Sequence, residues 1–241
     1  MIAFDYQLLT VVLAGLLVGL SKTGLKGLAM IGVAIMAMAF PAKISLGIFL
    51  PMLVVGDLFA MSYYKRHTEW QHLWGLFPVV ALGMIAGVWL LAKITNEQLK
   101  PIIGMIILSM LFIQILQTYT RVLKGGKLFS NFVGTLAGIT TVLGNAAGAV
   151  MNIYFLGKGL TKNKFIGTQA WFFLIINLVK IPLFLFLGLI TVVTFQSSVY
   201  AIPTIIIGGI LGIKIVKLLP EKTFRILVYF VTTLAGVRLL I

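Results

Sequence analysis

Apolar residues dominate this chain in long blocks separated by short polar stretches. Read in order, the blocks are 7–20, 25–40, 44–64, 73–92, 101–119, 129–142, 146–156, 165–190, 199–216 and 221–241. Several are close to the roughly 20 residues that cross a hydrocarbon core of about 30 Å as a helix. The pattern therefore predicts an all-α polytopic membrane protein of about eight to ten helical segments, in one transmembrane domain over 1–241. The first two blocks are different. Their apolar parts, 8–20 and 28–40, each give only about 20 Å of helix, and between them lies Gly19-Leu-Ser-Lys-Thr-Gly-Leu-Lys-Gly27. Two short half-helices around a glycine-flanked polar break are the pattern of a binding site inside a membrane.

The second half repeats this layout. The short blocks 129–142 and 146–156 flank Thr140-Thr-Val-Leu-Gly-Asn145. Gly15, Gly19 and Ser21 recur as Gly134, Gly138 and Thr140; Asp57 recurs as Asn177; Pro78, Gly83 and Gly87 recur as Pro203, Gly208 and Gly212. The spacing grows slowly along the chain, as loop insertions would make it. We read two repeats, 7–120 and 128–241, joined at the basic segment 121–127.

Loop charge orients them. If each broken pair is a hairpin that returns to the side it entered, each half has three full crossings and the halves are inverted. The basic residues of 65–66, 121–127, 158–164 and 214–225 then share one face, leaving only Lys43, Lys93, Lys100 and Arg238 on the other. The positive-inside rule favours that arrangement and puts both termini outside.

Composition agrees with this reading: 61% of the 241 residues are hydrophobic and 10% charged. The net charge of +14, which in a soluble protein would suggest nucleic acid, is assigned instead to loops and anionic lipid. With no cysteine there is no disulfide and no thiolate ligand. His67 and His72 share a loop with Glu69 and are read as solvated residues rather than metal ligands. No Walker A loop, catalytic triad or zinc motif is present in the sequence, and no cofactor or enzyme activity is expected. No cleavable signal peptide is read at the N-terminus.

The candidate chemistry lies inside the apolar blocks. Lys22, flanked by Ser21, Thr23 and Gly24, would offer an ammonium to a small anion, with N–H groups of the following half-helix as further donors. Lys26 either shares that pocket or faces water at the hairpin mouth. Thr140, Thr141, Gly144 and Asn145 at the second break either complete a polar cage or make helix–helix hydrogen bonds. Asp57, the acidic residue inside an apolar span, would carry a proton or act as counter-ion to Lys22 or Lys180. Asn177 and Lys180 share a helix face just before Pro182. Gln169 and Trp171 could line an entrance. Two lysines against one aspartate bias the site toward an anion. The Gly-x-x-x-Gly faces at 83–87 and 208–212 suit packing within one subunit or between two in a homodimer.

The Gly19–Gly27 break, the Pro51…Gly56-Asp57 helix and the second-half Gly138…Gly144-Asn145…Gly148 resemble the sulfite exporter TauE/SafE family, over essentially the whole chain. That resemblance implies a bacterial inner-membrane carrier for sulfite or organosulfonates such as sulfoacetate. It carries over onto Ser21, Lys22, Thr23, Asp57, Thr140, Asn145 and Lys180 as pocket candidates. Ser-Lys-Thr and Asn-Ala-Ala stand here where many members have glycine clusters. The expected mechanism is alternating access with proton coupling through Asp57; the alternatives are a passive anion channel or a carrier of another small organic anion.

Overall fold

The computed structural model describes residues 6–25, 27–64, 68–119, 126–160, 162–215 and 221–241. Lys26, His67 and the basic positions 65–66, 121–124 and 217 lie outside them. The described residues are helical and contain no strand. The first half holds α1 (Tyr6–Lys22), α2 (Leu28–Ala39), α3 (Ala42–Tyr64), α4 (Gln71–Trp74), α5 (Phe77–Lys93) and α6 (Asn96–Tyr119). The second holds α7 (Lys127–Gly144), α8 (Gly148–Gly157), α9 (Lys162–Phe186), α10 (Val192–Val199), α11 (Ile202–Ile215) and α12 (Glu221–Arg238).

Among the described residues, α3, α6 and α9 are long and apolar enough to cross a membrane on their own. The pair α10–α11, bent by 43°, makes a fourth span if taken as one. The outward surface carries large apolar side chains, among them Leu82, Ile85, Phe112 and Phe230, as a lipid-facing surface requires.

Helix α1 ends where Gly24 turns to φ 139, and α2 starts from Gly27 at φ 96. Side chains rarely adopt either conformation, and glycine does so freely. The chain then doubles back. Tyr6 Oη and Gln7 Nε2, at the start of α1, donate to the Ala39 carbonyl at the end of α2, at 3.1 and 3.2 Å. The first break is therefore the tip of an antiparallel hairpin. At the second break, Asn145 (φ 50) closes α7, with its N–H on Thr141 O at 3.1 Å and the Ala146 N–H on Thr140 O at 3.4 Å. This is the left-handed C-terminal turn that asparagine tolerates.

Glycines decide which helices touch. A Cβ on Gly19 would collide with the Ile205 carbonyl of α11, and one on Gly208 with the Leu16 carbonyl of α1. In the other pair, a Cβ on Gly83 of α5 would collide with the Thr135 carbonyl of α7, and one on Gly138 with the Val80 carbonyl of α5. Contacts advance together along both chains, so α1 runs parallel to α11 and α5 to α7. Thr204 Oγ1 of α11 also donates to Val12 O of α1 at 2.9 Å. The first helix of each broken pair is thus packed against a helix of the other half. The Gly-x-x-x-Gly faces at 83–87 and 208–212 are used inside this one chain.

Three boundaries depart from the sequence reading. The block 165–190 stops as a helix at Phe186, because Gly188 (φ 68) turns the chain and the Leu189 N–H bonds back to Phe184 O at 2.9 Å. Residues 192–198, read as connection, form α10 together with Val199. Its start is fixed by a reciprocal capping box, with Thr194 N on Thr191 Oγ1 at 3.2 Å and Thr191 N on Thr194 Oγ1 at 2.7 Å. The block 73–92 is split at Gly75 into α4 and α5.

Candidate functional site

Beside the middle of α3 lies a cavity of about 100 Å³. A single water needs only about 10–15 Å³ on this measure, so there is room for a small hydrated or polyatomic ion. Its wall is drawn from both helix breaks and from the long helices α3 and α9.

Lys22, in the last turn of α1, supplies the cation. Its Nζ lies 2.5 Å from Asp57 Oδ1 and 4.7 Å from the centroid of the Phe173 ring. The Lys22 side chain is 14% exposed and that of Asp57 is fully buried. Gly56 makes the pairing feasible: a Cβ there would press on Val18 Cγ1 at 2.8 Å and Lys22 Cγ at 3.1 Å. The second carboxylate oxygen, Asp57 Oδ2, accepts from Asn177 Nδ2 of α9 at 2.6 Å. The carboxylate is thus shared between the first hairpin tip and the second half of the chain. It is 15 residues into a 23-residue helix, about 22 Å along an axis of about 34 Å. The tip of the first hairpin is therefore at depth within the span, where a charge requires a partner.

The second tip contributes Thr141, Asn145 and Gly148 to the wall. Behind it, Lys180 is fully buried. Its Nζ donates to Asn145 Oδ1 at 2.6 Å, Thr141 O at 3.0 Å and Thr141 Oγ1 at 3.1 Å. A cation at a helix C-terminus is favoured by the dipole; here the ammonium shares the Thr141 carbonyl with the Asn145 N–H and also fixes the Asn145 side chain. Asn145 Nδ2 in turn donates to Leu46 O of α3 at 3.4 Å. Lys180 anchors the second tip and does not line the cavity.

Gly27 and Ala29 at the start of α2, and Gly148 at the start of α8, also line the cavity. Two helix N-termini therefore face it, each with first-turn N–H groups free of intrahelical partners and a positive dipole end.

Several sequence candidates sit elsewhere. Thr23 is buried against Gly212 and donates to its own helix at Gly19 O, 3.0 Å. Thr140 does the same to Leu136 O at 2.8 Å. A threonine four residues beyond a carbonyl satisfies itself this way, and neither hydroxyl lines the cavity. Gly24 shapes the turn. Trp171 packs against Trp70, with ring centroids 5.0 Å apart and planes tilted by 55°, and does not line the cavity. Ser21, Lys22, Asp57, Thr141, Asn145, Asn177 and Gln169 do meet at one cavity.

Asn152 of α8 and Gln114 of α6 also line it, and the sequence reading did not single them out. Asn152 is the amide within an otherwise apolar short helix, which was the available signal. Gln169 Nε2 donates to Asn152 Oδ1 at 2.7 Å.

Away from the cavity wall, the segment before α5 is fastened to the second half. Glu69 pairs with Lys164 at 2.5 Å, its N–H donates to Thr168 Oγ1 at 2.9 Å, and Tyr154 Oη donates to His72 O at 3.0 Å. Burial, then the nearby Lys158, holds the His72 imidazole below its usual range. Its role in the contact with Tyr154 is through the backbone carbonyl. No cluster of metal-ligating side chains occurs among the described residues.

A family model described as sulfite exporter TauE/SafE matches residues 11–239. No curated protein and no solved structure matches the chain.

Proposed function

Because the chain belongs to the sulfite exporter TauE/SafE family, a family of membrane transporters, we propose that it exports small sulfur-containing anions, sulfite and sulfonates such as sulfoacetate, through the cavity at the hairpin tips. The observation that carries this is the wall itself. One lysine, two helix N-termini and several amides converge on a space sized for one small ion. Charge-assisted N–H donors of this kind suit an oxyanion, whose oxygens accept on every side.

In this reading Ser21, Lys22, Thr141, Asn145 and Asn177 contact the substrate, while Thr23, Gly24, Thr140 and Lys180 hold the tips in place. The arriving anion takes Lys22 Nζ from Asp57. The carboxylate, left in a fully buried place with only Asn177 as donor, then takes up a proton. That exchange couples anion movement to a proton. Alternating access follows from two inverted repeats, 7–120 and 128–241, rocking against one another about the fixed cavity. The protein sits in the bacterial inner membrane with both termini outside.

The test is radiolabelled sulfite counterflow in proteoliposomes. A carrier gives saturable uptake stimulated by sulfite on the far side. A passive channel gives flux with no such stimulation, and absence of sulfite flux would contradict both readings.

A further inference from the structure

The cavity has a second polar pole that the lysine does not explain. Asn152 of α8 and Gln169 of α9 are hydrogen-bonded at 2.7 Å and both line the cavity. Asn152 is buried. A primary amide carries two N–H donors and a carbonyl with two lone pairs. Once the two amides are joined, one carbonyl and one NH₂ group remain for a ligand. The same set remains whichever amide donates to the other.

A fully ionised oxyanion needs donors alone. Lys22 and the N-termini of α2 and α8 already provide them. The carboxylate is engaged, its two oxygens held by Lys22 and Asn177, and Asn145 Oδ1 is held by Lys180. An amide carbonyl in the wall is repelled by a bare anionic oxygen and is satisfied by an O–H. A site built to bond a ligand hydroxyl rejects an analogue that lacks it, because the polar group in the wall is left unpaired.

We propose that the Asn152–Gln169 amide pair is a specificity element that accepts the O–H of a singly protonated oxyanion, while Lys22 and the helix N-termini hold its bare oxygens. The inference rests on the transport reading above and narrows its substrate to the hydrogen-bearing monoanion. Anions of the same charge without a donor, such as methanesulfonate, are disfavoured.

The test uses the full chain in detergent, with sulfite presented below its second ionisation, where hydrogen sulfite dominates, and methanesulfonate at matched pH and ionic strength. Wild type is expected to bind hydrogen sulfite about tenfold more tightly than methanesulfonate, the worth of one good hydrogen bond. Gln169→Leu should lose about that factor for hydrogen sulfite and leave methanesulfonate within about twofold. Asn152→Leu, made separately, should do the same, so that a folding defect in one variant does not decide the matter. Equal affinity for the two anions in wild type, or parallel losses for both in the variants, would overturn the inference and leave the transport reading standing. Binding of neither anion by wild type would overturn both.

Discussion

Asp57 and Asn177, 120 residues apart in sequence, meet in a 2.6 Å hydrogen bond between α3 and α9. They are also the positions that correspond when the two halves of the sequence are matched. Equivalent positions meet face to face where two related halves share an axis, so this bond marks the centre of the proposed repeat. Lys22 binds the other oxygen of the same carboxylate. Charge, first hairpin and second half therefore converge on one side chain.

Asp57→Asn keeps an oxygen for Asn177 and removes the charge opposite Lys22. Sulfite counterflow at equal pH on both sides should survive. Sulfite movement driven by a pH gradient in proteoliposomes should disappear. Gradient-driven flux undiminished in the variant would remove the coupling role assigned to Asp57.

Lys180→Met fills the same space without a donor. It leaves Asn145 Oδ1 without a donor in a buried place and removes one of the two donors on the Thr141 carbonyl, which keeps the Asn145 N–H. An unpartnered buried acceptor costs about 1–3 kcal/mol, so the melting temperature of purified protein should fall clearly. A melting temperature equal to wild type would show that Lys180 does not anchor the second tip.

Gly19→Ala and Gly138→Ala each drive a methyl group into a backbone carbonyl of the facing helix. Strain of about 1–3 kcal/mol is expected, since only backbone movement can relieve it. Gly75→Ala, where a Cβ meets nothing within 4 Å, serves as the control and should melt as wild type does. Equal behaviour of all three would contradict the close parallel pairing of α1 with α11 and α5 with α7.

The hydrogen bond and charge of Lys164 hold the Glu69 carboxyl below its usual 4.5. A carboxyl depressed in the folded state adds stability that is complete above the unfolded value and is lost as pH falls through the folded one. Melting curves of Glu69→Gln should therefore lie slightly below wild type above about pH 4.5 and converge with it at the acid end. The pair is solvent-exposed, so added salt should shrink the gap. A gap that is constant with pH would mean that the ion pair is not its source.

Much of this architecture is written in local signals. Glycine and polar residues between two short apolar runs marked the first tip, because a hairpin inside a membrane needs both a turn and a ligand for its exposed N–H groups. Gly15, Gly19, Gly83, Gly87, Gly138 and Gly208 marked helix faces, because backbones approach only where side chains are absent. The sequence does not say which face meets which. The exchange of partners between halves is a tertiary fact. For the same reason Thr23 and Thr140 looked like pocket residues. Their spacing is equally compatible with a hydroxyl turned back on its own helix, as both are. Asn152 was hidden in a short apolar run until α9 brought Gln169 beside it, and α10 was hidden in a stretch whose two threonines cap each other.

The most direct test of the central claim, that a small sulfur anion binds at Lys22 between the hairpin tips, is ligand-dependent melting of the purified protein. Sulfite, sulfate, thiosulfate, sulfoacetate and acetate would be compared at matched ionic strength in wild type and Lys22→Ala. A ligand that binds only the folded state raises the melting temperature by mass action, worth about 2.7 kcal/mol at a hundred times its Kd. The account predicts a rise with sulfite in wild type, larger than with sulfoacetate, and none in Lys22→Ala. An equal rise in both proteins would place the anion elsewhere and contradict the account.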